Sequence, residues 1–105
     1  NLKCSSCSGN TPKLVKSEIN DNLKKIKNWQ INEENKMIFK KLKFKTFNQA
    51  LKFTNLIGEI ADKENHHPDI SLGFGYCLIL IHTHAIDGLS INDFILASKI
   101  DQISL

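Results

Sequence analysis

Arginine is missing. All fourteen basic side chains among the 105 residues are lysines, and the formal net charge is +3. Arginine's planar fork is the usual tool for reading phosphates and guanine edges. Its absence argues against direct nucleic-acid recognition. The chain also lacks any apolar run near the roughly 20 residues that a membrane-spanning helix needs. Its first residues, NLKCSSCSGNTPK, contain no apolar stretch of a secretory signal. Three cysteines, Cys4, Cys7 and Cys77, do not make a disulfide framework. These absences predict a setting away from membranes in a reducing compartment. The cytoplasm comes first, with a nucleus or organelle left open.

The length suits one domain, and 41% hydrophobic residues is an ordinary globular content. Residues 1–13, rich in Ser, Gly, Asn and Pro, read as a flexible arm, and residues 14–105 as the domain. The C-S-S-C pair in the arm is a weak metal or redox signal; Cys77, in an apolar run, reads as a small core residue.

Ser17 is a candidate N-cap for a helix reaching about Asn28, with Ile19, Leu23 and Ile26 at helical spacing. Trp29 and Ile31 mark a short strand, and KMIFKKLKFK a longer one whose Leu42 alternates with Lys41 and Lys43. Thr46, with Gln49 three residues on, opens a second helix running to about Lys63. Its apolar positions, from Phe47 to Ala61, cover roughly 220° of the helix, more than one core-facing stripe needs. The surplus predicts self-association into a homodimer or homotetramer. After Pro68 come a short strand, DISL, a bend at GFG, and a strand YCLILIHTH through His84. A final helix comes next, with Ser90 and Asp93 as a capping pair. The order α-β-β-α-β-β-α predicts an α+β fold: a four-stranded antiparallel sheet with three helices packed on one face.

All four histidines lie in one segment, as His66-His67 before Pro68 and as His82 and His84. Satisfied or surface histidines are one explanation. Metal binding is a second, since three imidazoles can hold zinc. However, the spacing does not match a helical His-x-x-x-His pair, and adjacent histidines rarely share an ion. No metal ligand is therefore assigned. Proton transfer is the third, because imidazole both takes and gives a proton near neutrality.

ADKENHHPD, then THAIDGLSINDFILA after a fixed gap, resembles the pterin-4a-carbinolamine dehydratase family. The signature is His-His-Pro, a later Thr-His, and Gly-Leu-Ser-x-x-Asp. Trp29 and IFKKLKFKTFNQA fit as well, and KCSSCSGNTPKL resembles the lead of a plant- and bacteria-like subgroup.

The resemblance implies dehydration of 4a-hydroxytetrahydrobiopterin to quinonoid dihydropterin, which recycles the pterin of aromatic amino-acid hydroxylases. It implies no metal and no organic cofactor, with the pterin as the small-molecule partner. By carry-over His66, His67 and His84 are catalytic. His66 and His84 would do the acid–base work, and His67 would orient the pterin. Asn65, His82, Thr83 and Ala85 would line the substrate site, and Asp62 and Asp93 would support it. Asp93 reads first as a plain helix cap, and Asp62 equally as a solvated helix-end carboxylate.

The chain departs from the family at Ile70 (usually Trp), Asn65 (commonly Asp) and Phe74 (usually Tyr). A role in another pterin pathway also fits the plant-like lead. The family further implies an alternative that is not enzymatic, an interaction module like the transcription-factor dimerisation cofactors among its animal members.

Overall fold

The computed structural model describes Cys4 and residues 11–104. Its elements are α1 (Lys16–Leu23), β1 (Gln30–Ile31), β2 (Ile38–Lys43), α2 (Phe47–Glu64), β3 (Asp69–Gly73), β4 (Tyr76–Ile81) and α3 (Ile91–Asp101). A short 3₁₀ turn, His84–Ile86, lies between β4 and α3. The four strands form one antiparallel sheet in the order β1-β2-β4-β3. The α+β class and element order thus match the sequence reading.

Alternation along the two long strands decides the layers. In β4, Cys77, Ile79 and Ile81 are buried, while Tyr76, Leu78 and Leu80 are only partly so. Ile38, on β2 opposite Ile81, is also buried. These side chains meet Phe53 and Ile57 of α2 and Phe94, Leu96, Ala97 and Ile100 of α3 in the core. Cys77 is fully buried beside Thr54 Oγ1 (3.4 Å), and burial pushes its thiol above the usual range.

Three boundaries differ from the sequence reading. First, α1 stops at Leu23 rather than Asn28, and Val15, not Ser17, is its N-cap. The Val15 N–H donates to Glu18 Oε1 (3.0 Å). The chain leaves the helix early because Asp101 grips the segment leading into β1, and β2 beyond it. Its carboxylate accepts from Lys27 N (2.8 Å), Trp29 Nε1 (2.9 Å) and Lys40 Nζ (2.9 Å). Asn28 makes the turn at φ 61°, a left-handed conformation that asparagine tolerates. Second, β2 covers only residues 38–43. Third, β4 ends at Ile81, two residues before Thr83 enters an isolated bridge with Gly88.

At the start of α2, Thr46 Oγ1 accepts from Gln49 N (3.1 Å), while Gln49 Oε1 reaches back to Lys45 N (3.0 Å). The buried apolar face of α2 is Ala50, Phe53, Ile57 and Ala61. Phe47 and Leu51 remain exposed. The predicted arm falls largely outside the described residues, Cys7 included. Cys4 is described: its N–H donates to Glu64 Oε1 (2.9 Å), and its Sγ lies 3.4 Å from the Asn92 carbonyl.

Candidate active site

The first histidine pair is placed by the end of α2. Asn65 adopts φ 52°, ψ 39°, the left-handed conformation that stops a helix. The His66 N–H then donates to Ala61 O (3.2 Å), closing a six-residue loop over the helix end. That clamp turns His66 inward, so that only 6% of it stays exposed. His67 points outward. Adjacent residues in extended chain face opposite ways, and Pro68 holds His67 extended.

Inside, His66 Nε2 donates to Asp93 Oδ1 at 2.6 Å. The other oxygen, Asp93 Oδ2, accepts from Thr83 Oγ1 (2.8 Å) and from the Ser90 N–H (2.8 Å). The Thr83 hydroxyl proton is thereby used, so the Ser90 hydroxyl donates to Thr83 Oγ1 (2.9 Å). Asp93, Thr83 and Ser90 are all essentially buried. A buried carboxylate is costly unless its oxygens are satisfied, and three donors satisfy this one. Asp93 is at once the capping-box residue of α3 and the partner of His66; the sequence reading set a helix cap against a supporting role at the site and did not name His66.

Outside, His67 Nε2 donates to Asp62 Oδ1 at 3.0 Å, both side chains being exposed. His82 and His84 face each other with ring centroids 4.0 Å apart. The sequence reading ran the strand on through both of them to His84. In fact the strand has ended, and the 3₁₀ turn brings His84 back beside His82. Asn65 and Ala85 are exposed, and Thr83 is buried.

Asp69 was missed. Its Oδ2 lies 3.7 Å from His82 Nε2, and together with His84 it forms a cluster whose three ligand atoms lie within 4.8 Å of one another. Counting back from the two-residue turn at Phe74-Gly75 would have found it. That register sets Asp69 opposite Leu80, two residues before His82 on the same side. Gly75 makes the turn possible at φ 76°. Of the departures, Ile70 packs against the core, Asn65 serves as the left-handed helix stop, and Phe74 is exposed at the hairpin.

A single carboxylate thus ties the His66-His67 corner to the Thr83-His84 turn. The family model for pterin 4 alpha carbinolamine dehydratase matches residues 12–103. The chain belongs to the pterin-4a-carbinolamine dehydratase family. Two similar proteins carry the name "Putative pterin-4-alpha-carbinolamine dehydratase". That of Halorhodospira halophila is 40% identical over 100 residues, covering 95% of this chain and 92% of its own length. That of Rickettsia bellii is 46% identical over 99 residues, covering 94% and 88%. Among solved structures, a transcriptional coactivator/pterin dehydratase from Brucella melitensis superposes with a TM-score of 0.80 at 28% identity. It spans 85% of this chain and 95% of its own. A pterin dehydratase-like protein identified as a RuBisCO assembly factor shares the fold alone, at a TM-score of 0.61 and 20% identity.

Proposed function

We propose that the chain dehydrates a 4a-hydroxytetrahydropterin to the quinonoid dihydropterin, by imidazole acid–base chemistry and in the service of tetrahydrobiopterin recycling. The carbon–oxygen bond at C4a breaks, and the departing hydroxyl takes a proton and leaves as water. A ring N–H gives up its proton, and its electron pair closes the C=N bond. One proton is delivered and one removed, so neutral and protonated imidazoles suffice and no cofactor is called for.

The observation that carries the reading is the shared carboxylate of Asp93, bonded to His66 and to the residue before His84. In this role Asp93 fixes the orientation and the tautomer of the His66 ring, as a carboxylate behind a histidine does. His84, exposed at the turn, exchanges the second proton. His67, held by Asp62, binds and orients the pterin, with Asn65, His82 and Ala85 around it; Thr83, buried against Asp93 and Ser90, acts from behind rather than lining the site as the resemblance implied. The exposed Phe47 and Leu51 on α2 support self-association, which light scattering would report as a mass above 11.9 kDa.

Stopped-flow measurement of 4a-hydroxytetrahydropterin breakdown tests the reading. His84→Ala is expected to slow turnover by roughly 10²–10⁴-fold, the usual share of one placed acid or base. Equal rates for wild type and variant would reject the enzymatic reading in favour of an interaction module.

A further inference from the structure

We propose that Asp69, His82 and His84 form a binding site for a divalent transition cation, zinc first among them. The donor set is two imidazoles and a carboxylate, a combination that suits zinc and its neighbours in the first transition row. The three ligand atoms already lie within 4.8 Å of one another. Zinc bonds of roughly 2.0–2.2 Å at tetrahedral angles would set them about 3.4 Å apart. The remaining closure falls on Asp69 and His84, both exposed, while His82 is mostly covered and acts as the fixed post.

The backbone holding the ligands is well anchored. Thr83, between the two histidines, is tied to Asp93 and Ser90 by its side chain and to Gly88 by its N–H (2.8 Å). Asp69 is fixed in register opposite Leu80. The exposed face of the cluster leaves a fourth position for water or another ligand. Asp87 adds a carboxylate in the neighbourhood, although Lys36 already pairs with it at 2.8 Å. Two sequence features hid this site: the histidines are two apart beyond a strand end, and the carboxylate comes from the other arm of the hairpin.

A cation here takes the lone pair of His84, so on the dehydratase reading it would inhibit turnover. That consequence rests on the proposed function; the binding does not.

Calorimetric titration of the full chain, stripped with EDTA, with zinc chloride alone near neutral pH tests the site. One zinc per chain is expected. His82→Ala should weaken binding about 100-fold or more, and Asp69→Asn about tenfold or more. The Cys4→Ser/Cys7→Ser double variant should bind as wild type. Circular dichroism shows whether each variant is folded, and Asp69→Asn, at an exposed strand start, gives the arm least exposed to misfolding. No binding up to about 1 mM zinc overturns the proposal, as does binding that survives His82→Ala or vanishes with the cysteines. Wild type that binds zinc yet lacks metal-free dehydratase turnover removes the enzymatic reading and leaves the site standing. Active wild type that binds none removes the site alone.

Discussion

His66 and His67 are neighbours in sequence, and each donates its Nε2 proton to an aspartate. There the likeness ends. The His66–Asp93 pair is 2.6 Å long with side chains 6% and 0% exposed; the His67–Asp62 pair is 3.0 Å long at 57% and 82%. The inner pair lies in a low-dielectric setting, where removal of one partner strands the other. The outer pair is screened by water and counter-ions. Identical chemistry one residue apart therefore has two different consequences: the inner pair holds architecture and ring orientation, and the outer pair leaves its histidine open to solvent.

The sharpest way to break this comparison is Asp93→Ala. It removes the acceptor of three hydrogen bonds and the cap of α3. A stability loss of roughly 3–5 kcal/mol is expected in urea unfolding, against less than about 0.5 kcal/mol for Asp62→Ala. Equal losses would erase the distinction. A double-mutant cycle on each pair should give a coupling of about 1–3 kcal/mol for His66 with Asp93, and little for His67 with Asp62.

Next in size is Asp101→Ala, a half-way case in which a mostly buried carboxylate joins α3 to Trp29 and Lys40. It is expected to cost about 2 kcal/mol, read as a lower urea midpoint.

The smallest effect concerns the exposed Lys36–Asp87 pair. The side-chain hydrogen bond from Lys36, then its charge, holds the Asp87 carboxyl below its ordinary 3.8, and the same bond raises Lys36 above 10.5. Asp87's contribution is therefore present above 3.8 and disappears as pH falls through its lowered value. That of Lys36 is present below 10.5 and disappears as pH rises through its raised one. In a carbon-detected titration, Lys36→Ala should return Asp87 towards 3.8. An unmoved Asp87 would show that the pair does not form in solution.

Much of the fold is written locally in the chain. The spacing of Ala50, Phe53, Ile57 and Ala61 displays the buried face of α2, and Thr46 and Ser90 announce their helices; YCLILI announces a strand, but its six apolar side chains do not say that Cys77, Ile79 and Ile81 are the buried ones. The residues that escaped notice act across long separations. Asp101, at a helix end, looks solvated until its partners 61 to 74 residues away are placed. Glu64 looks like another surface carboxylate, yet it is buried against Lys99 (2.7 Å) and Cys4. The strand through His84 was overextended because no local signal marks Ile81 as its last paired residue. The stop comes from the Thr83–Gly88 bridge.

The shared carboxylate of Asp93 carries one more implication. Fraying of the first turn of α3 and release of the His66 ring are coupled in one opening event, because a single carboxylate holds both, Oδ1 the ring and Oδ2 the Ser90 N–H. Amide exchange at Ser90 and loss of order at the His66 ring should therefore proceed at one rate, slowed or quickened together by any change along α3.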